Sequence, residues 1–401
     1  MTRPFTSSSP AGLEPPLLKA RGLTAAGLAI VAATYGLARY CFGLFLPDIR
    51  DEFQLATETV GLIAGSSYIG YLAATFIGSW LSTTYGPRLP IILGGLAATL
   101  GMGIIALSTT PLILAAGVFI AGTSPGLSYP PFSDVIVRHT ESSRQNTVYA
   151  WINSGTGFGV AIAGPLALYA GQDWRLAWFA FAALALMITV WNLIVLPPPQ
   201  PTRRQRSIGV PTHVLMRREN GPLFTAALIF GVVTAIYWTY AVELLHTLTD
   251  DPQAPILFWI ILGVAGISGC FAGGVVDRWG LRRAYFALVI LVGLAVASLP
   301  LLIQAPAGIY FSAACFGSGF IVMTALFGIW SMGVCRDMPS IGFGMTFFLI
   351  SLGQGVGPVL GGYLIPVFGE PNLFLAAGLL CFSLASLAPG KSYAPTNSEQ
   401  A

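Results

Sequence analysis

The chain has 401 residues, 55% of them hydrophobic and only 9% charged, where an ordinary soluble chain carries about 25% charged residues. With 19 basic and 16 acidic side chains, a globule of this length lacks the charge to cover its surface, which excludes a soluble fold. The surplus apolar surface must face lipid.

A membrane-crossing helix needs about 20 mostly apolar residues, so the chain has room for roughly 12. The apolar runs predict spans of about 22 to 46, 57 to 81, 89 to 109, 111 to 134, 147 to 170 and 174 to 197 in the first half of the chain. They predict 222 to 246, 255 to 276, 281 to 302, 308 to 333, 342 to 365 and 371 to 388 in the second half. The runs are continuously apolar rather than alternating, so a barrel is excluded. Residues 1–21 lack an apolar h-region and a small-residue cleavage site and are expected to be a tail.

With the N-terminus inside, Arg50 and Arg175 fall in outer segments, Arg39 lies within the first helix, and the remaining basic residues fall on the inner side. That asymmetry predicts cytoplasmic termini in a multi-pass protein of a bacterial inner membrane. The net charge of +3 then reflects membrane orientation and implies no nucleic-acid partner. Cys41, Cys270, Cys315, Cys335 and Cys381 lie within or at the ends of apolar runs, and His139, His213 and His246 are scattered. No metal or cofactor site is expected from them.

One long polar stretch, from about Pro197 to Pro222, interrupts the apolar runs and carries Arg203, Arg204, Arg206, Arg217 and Arg218. It predicts two six-helix bundles, 22–197 and 222–388, joined by a cytoplasmic linker over 198–221 and followed by a tail over 389–401. The bundles echo one another. Ser154-Gly155-Thr156-Gly157-Phe158-Gly159 parallels Leu352-Gly353-Gln354-Gly355-Val356-Gly357, and Thr24-Ala25-Ala26 parallels Thr225-Ala226-Ala227. Similar offsets in matching helices argue for duplication, the plan of many secondary transporters.

Between the eighth and ninth runs stands Gly273-Gly274-Val275-Val276-Asp277-Arg278-Trp279-Gly280-Leu281-Arg282-Arg283. It resembles the loop signature G-x-x-x-D-R-x-G-x-R of the major facilitator superfamily. The first-half counterpart, Ser79 to Arg88, keeps Gly86 and Arg88 but has Thr83 where the aspartate belongs. Gly353 to Gly362 looks like the family's antiporter signature, which the family shows in the fifth helix; the fifth run here has only a glycine-rich relative ending at Gly164-Pro165. Gly36-Leu37-Ala38-Arg39-Tyr40-Cys41-Phe42 through Leu46-Pro47, with Ser67-Tyr68-Ile69-Gly70-Tyr71, resembles the bacterial YbfB/YjiJ-type branch, with Ser67 in place of asparagine.

The resemblance spans essentially the whole chain and implies an all-α polytopic fold of 12 transmembrane helices as two pseudo-symmetric six-helix bundles, working by alternating access. It also implies an inner gate made by Gly273, Asp277, Arg278, Gly280 and Arg282. By pseudo-symmetry Asp277 is expected to face the start of the fifth helix near Gln145 to Thr147, with Arg336 fixing its carboxylate from the other side. Gly155, Gly159, Gly353 and Gly357 allow close helix approach, either at a moving interface or in static packing.

Ionisable groups inside apolar runs carry the functional expectations. Arg39 sits roughly 7 Å beyond the centre of the first helix, and a charge there costs at least about 2.5 kcal/mol on insertion scales. It either receives an anionic substrate or is held in a network of carbonyls and tyrosines; no acid lies at matching depth. Glu243, roughly 13 Å beyond the centre of the seventh helix, is a proton-carrying carboxylate or a paired interfacial acid. Asp134 is expected to pair with Arg138, one helical turn on. Tyr35, Tyr129, Asn153, Tyr237, Tyr240, Trp330 and Gln354 complete the candidate substrate site.

These residues predict a secondary active transporter of a small organic solute, an anion where Arg39 receives the substrate, driven by protons and acting as a single chain in the bilayer. A membrane enzyme lacks clustered catalytic or metal-binding side chains here, and a primary pump lacks a phosphate loop. A non-transporting receptor or scaffold has no evident need of the loop at Asp277.

Overall fold

A computed structural model describes residues 17–171, 173–198, 218–335 and 339–390. Most of the expected linker, the outermost tails and Arg336 lie outside the described residues. Among those described, every regular element is helical, and twelve long helices follow one another. They are α1 (Arg21–Phe53), α2 (Thr57–Tyr85), α3 (Arg88–Ala106), α4 (Pro111–His139), α5 (Ser142–Ala170) and α6 (Trp174–Val195) in the first half. The second half comprises α7 (Gly221–Leu248), α8 (Ala254–Phe271, continued by Ala272–Trp279), α9 (Leu281–Leu302), α10 (Pro306–Val334), α11 (Pro339–Phe368) and α12 (Glu370–Leu387).

Eleven of these are long and apolar enough to cross a membrane. The exception, α5, is 29 residues long but is diluted by Asn153, Ser154, Thr156 and its glycines. Its polar side chains are turned into protein: Ser154 and Thr156 are buried and Asn153 half-buried. Large apolar side chains instead point outward from the peripheral helices, as Leu100, Met187, Ile194 and Leu379 do. Such a surface is stable only in lipid.

Several helices run past their expected ends. α1 continues to Phe53 because Pro47 is tolerated in the first turn of its last segment, and the segment stops only at Gln54, in the left-handed conformation (φ 50°). α2 likewise reaches Tyr85 and α4 reaches His139, since polar residues leaving the apolar zone keep their backbone hydrogen bonds by staying helical.

The halves repeat in detail. Gly86 closes α2 at φ 88° and Gly280 closes α8 at φ 77°, each N–H bonding back to the carbonyl four residues earlier, Ser82 and Val276. These are the glycines shared by the two loop motifs, and they let the chain turn where a Cβ would strain it.

Two long seams join the halves: α2 runs against α11, and α5 against α8. Glycines line both. A Cβ on Gly61 would strike the Pro358 carbonyl, one on Gly65 would lie 2.9 Å from the Gly355 carbonyl, and one on Gly157 would lie 2.8 Å from the Gly263 carbonyl. The glycines expected at this interface are placed differently. Gly155 and Gly159 abut α1, and Gly353 and Gly357 abut α7, each inside its own half. A helix turns about 100° per residue, so glycines two apart face nearly opposite ways. Gly157 and Gly355, between the expected pairs, are the ones that meet the other half.

Replacing Gly159 by valine should therefore wedge α5 off α1, where the added carbon meets the Ala32 carbonyl and Gly36 Cα. A thermal melt in detergent should show a loss of about 1 to 3 kcal/mol. Gly103→Ala, where nothing lies within 4 Å, should be neutral or slightly stabilising, because alanine restricts the unfolded chain and favours helix.

Candidate functional site

The site begins with an irregularity in α1. From Ala32 to Tyr40 the helix is wound as a π-helix, followed by a turn and a 3₁₀ stretch over Gly43–Phe45 before α-helix resumes. Extended π geometry is rare and tends to mark functional positions, because the extra residue per turn re-aims the side chains beyond it. One face of this stretch is pinned: a Cβ on Gly36 would lie 2.5 Å from Gly159 Cα. Cys41 Sγ donates to the Gly36 carbonyl at 3.1 Å, a further local tie within the irregular stretch. Tyr35, Arg39 and Tyr40 all arise from this segment.

Arg39 is 5% exposed. Its Nη2 donates to Gln354 Oε1 of α11 at 2.9 Å, so the bond crosses between the halves. The guanidinium carbon lies 4.1 Å from the Tyr71 ring centroid, 4.6 Å from Tyr68, 5.4 Å from Tyr35 and 5.6 Å from Tyr40. Among the described residues the ion pairs are Arg50–Glu243, Arg144–Glu141 and Arg175–Glu52; Arg39 has no acid. A desolvated cation over an aromatic face gains about 2 kcal/mol or more. The rings thus hold the charge in place without neutralising it.

From Arg39 the cluster extends through the first half. Tyr35 OH donates to Tyr71 OH at 3.2 Å, and the Tyr35 ring meets Tyr129 edge-on at 5.7 Å. Tyr129 OH donates to Asn153 Oδ1 at 3.3 Å, and its ring meets Tyr149 at 6.0 Å. Arg39, Tyr68, Tyr71 and Gln354 are buried, whereas Tyr35, Tyr129, Tyr149 and Asn153 are half-buried. Exposure falls along the strip toward Arg39, so its less buried end is the one nearer the α4–α5 turn.

The opposite end, carrying the α1–α2 turn, is closed. Arg50 Nη1 meets Glu243 Oε1 at 2.5 Å across the halves, and Arg50 Nη2 donates to Thr57 Oγ1 at 3.0 Å. Tyr240 OH donates to the Pro358 carbonyl at 2.7 Å. Gly43 packs against the backbone of Trp238, and Gly61 against Pro358 and Gly362. Arg175 Nη1 and Trp174 Nε1 both donate to Glu52, at 2.5 and 2.9 Å, tying α6 to the end of α1.

The structure brings together Arg39, Tyr35, Tyr129, Asn153 and Gln354 of the expected site and leaves three residues out. Tyr237 is fully buried inside the second half, its hydroxyl 2.7 Å from Ser312 Oγ and its ring stacked 3.8 Å from Phe316. Tyr240 is used at the closed end, and Trp330 stacks on Phe327 and meets Tyr285 at 5.3 Å. Their aromatic surface fills core that polar character alone does not distinguish from a site. Asp134 departs too: Ser82 Oγ donates to its Oδ2 at 2.6 Å, so it ties α4 to α2 rather than pairing with Arg138.

The expected gate contact is not formed in this conformer. Asp277 and Arg278 are exposed, and neither enters an ion pair among the described residues. Arg282 donates to the Pro389 carbonyl of its own half. Gln145 is turned back to the Val137 and Thr140 carbonyls instead of reaching Asp277. Gly273 lies in the first turn of the short helical continuation of α8, which begins at Ala272, and Gly280 caps its end.

Tyr40, Tyr68 and Tyr71 were not expected in the site. Tyr68 and Tyr71 stand three apart on one face of α2, a spacing visible in sequence once Arg39 is known to need aromatic neighbours.

Residues 28–349 match the Major Facilitator Superfamily. The chain belongs to that family. It is similar to monocarboxylate transporter 13 of Bos taurus, 25% identical over 362 residues that cover 86% of this chain and 83% of that protein. It is similar to the probable sulfoacetate transporter SauU of Cupriavidus necator, 24% identical over 378 residues covering 83% and 85%. Its fold matches a crystal structure of the nucleoside transporter NupG with a TM-score of 0.74, at 13% identity over 91% of this chain and 99% of that one. The protein is a multi-pass membrane transporter, not an enzyme.

The Arg50–Glu243 pair generates a stability prediction. Glu243 is 5% exposed and its Oε2 has no partner, so Arg50→Gln strands a buried carboxylate and should cost about 1 to 3 kcal/mol in a thermal melt. Combining Arg50→Gln with Glu243→Gln should recover part of that loss, giving a coupling of about 0.5 to 3 kcal/mol. Additive losses would show that the pair does not hold the halves together.

Proposed function

We propose that this transporter carries a small organic anion by alternating access, with Arg39 as the group that receives the anion's charge. The observation that carries the reading is that Arg39 is buried and cation-positive with only a neutral hydrogen-bond acceptor, Gln354, on the opposite half. An anion is then a better partner than the one the protein supplies, and its arrival alters the contact that links the halves. The relatives named for monocarboxylate and sulfoacetate transport act on organic acids, which agrees with this charge preference.

The reading extends to topology. Under the positive-inside rule the basic segments lie in the cytoplasm of a bacterial cell, with both termini. The α1–α2 end is then outer, and the described conformer is closed outside with its tyrosine strip open toward the cytoplasm. Asp277 has no latch to make in that state and would engage only when the inner ends meet. The division at the 198–221 linker supplies two bodies that rock about the α2–α11 and α5–α8 seams. One chain contains the whole site, so a monomer suffices. The motif from Gly36 through Pro47 keeps the YbfB/YjiJ-type branch as the finer family assignment.

Proton coupling falls to Glu243. As a carboxylate it holds Arg50 and closes the outer end; protonated, it loses that attraction and frees the halves to part. A proton taken up from outside thereby favours outward opening.

Two variants test this reading in proteoliposomes. Arg39→Lys and Arg39→Ala should both reduce uptake of radiolabelled pyruvate at least about tenfold, since an ammonium cannot reproduce planar two-point recognition of a carboxylate. Normal uptake in both would remove Arg39 from the site. Glu243→Gln should abolish accumulation driven by a pH gradient while sparing exchange, and normal accumulation would assign coupling elsewhere.

A further inference from the structure

Beside Arg39, a void roughly one water molecule in size is bordered by Arg39, Phe42, Ser67, Tyr68, Trp238 and Thr239. Three of these residues carry a buried polar atom without any hydrogen-bond partner: Arg39 Nε, Ser67 Oγ and Trp238 Nε1. Their exposures are 5%, 3% and 3%. Native interiors leave few polar atoms unpaired, and an orphan is costly unless something arrives to meet it. All three residues border the same void. Each offers a hydrogen, and one carries a full positive charge, so the complementary group is an anionic oxygen rather than a cation or a hydrocarbon.

We propose that this void is the head-group pocket of the anion site, in which one carboxylate oxygen sits against Arg39 Nε with Ser67 Oγ and Trp238 Nε1 as its further donors. The inference rests on the anion reading above and adds the two residues that neither the motif nor the aromatic strip assigns. Gln354 meets only Nη2, so the unpartnered Nε is the donor at which an anion first engages the guanidinium before competing with that amide for its charge. The indole of Trp238 stacks on Tyr40 with centroids 4.3 Å apart and planes at 21°, which fixes it as the wall toward the second half.

The pocket is shared between the halves: Arg39 and Ser67 belong to α1 and α2, Trp238 to α7. The Trp238 backbone is also where Gly43 of α1 packs at the closed end. Drawing α1 from α7 to open that end removes Trp238 from the anion. Occupancy of the pocket therefore favours the conformer closed at the α1–α2 end, and a ligand shifts an equilibrium by its difference in affinity between the two states.

Thermal melting of the purified full chain, titrated with pyruvate, sulfoacetate and the neutral pyruvamide, tests the pocket. Pyruvate should raise the melting temperature and pyruvamide should not. Sulfoacetate, which carries a carboxylate as well as a sulfonate, should act like pyruvate. Ser67→Ala removes one oxygen and Trp238→Phe keeps an aromatic ring over Tyr40, so both should fold, as their ligand-free melting curves will report. Each should weaken the apparent pyruvate affinity by about tenfold, the value of one hydrogen bond to a charged group. If the wild type responds to neither anion, the anion reading fails and this pocket with it. If the response is lost in Arg39→Lys but unchanged in both Ser67→Ala and Trp238→Phe, the anion reading stands and the three-donor pocket is overturned.

Discussion

A positive charge buried between two half-molecules, with no acid paired to it among the described residues, is the constraint around which this transporter is built. Arg39 cannot face lipid and is 95% removed from solvent by protein. The structure meets the cost by surrounding it with four tyrosine rings and one amide oxygen. Each is electrostatically favourable and none is an acid. To bring the rings in, α1 gives up regular α-helical winding across Ala32–Tyr40, and α2 contributes Tyr68 and Tyr71 from one face. To bring the amide in, α2 and α11 approach closely enough that Gly61 and Gly65 cannot carry side chains without displacing their neighbours.

The same logic distinguishes the two charged groups that cross between halves. Arg50 and Glu243 satisfy each other at the α1–α2 end, so that contact is self-sufficient and serves closure. Arg39 and Gln354 do not neutralise one another, so theirs is a contact that a stronger acceptor can displace. A closed end made by an ion pair and an incomplete contact in the middle give the molecule two points at which charge can bias its conformation. Under the proposed alternating access, Asp277, exposed at the far end, would be a third such group.

Much of this was legible in the sequence, for physical reasons. Composition excludes water as the only solvent, and the continuous apolar runs leave helices as the spanning element. Positive-φ glycines after α2 and α8 were visible as Gly86 and Gly280 within duplicated loops. Arg39 stood out because a charge in an apolar run must have a purpose. The partner side chains were harder. Tyr237 and Tyr129 look equivalent in sequence, yet one stacks on Phe316 in a dry core while the other bonds to Asn153 in the strip. Gly155 and Gly159 pack against α1 and Gly353 and Gly357 against α7, as the close-packing alternative had it, while Gly157 and Gly355, which meet the other half, stood in the same motifs without being singled out. The π-helical segment had no sequence signal, as no proline marks it. Ser67 and Trp238 were hidden because a missing hydrogen bond exists only in three dimensions.

The central claim is that Arg39 has been left without an acid so that a substrate can supply one. Gln354→Glu tests it most directly, because it gives the guanidinium a permanent carboxylate at the position where the neutral amide already sits 2.9 Å away. In proteoliposomes the account predicts that this variant folds with undiminished thermal stability, since a buried charge pair replaces a charge-dipole contact, and that it loses uptake of labelled pyruvate. Pyruvate uptake at the wild-type rate by a well-folded Gln354→Glu protein would contradict the account.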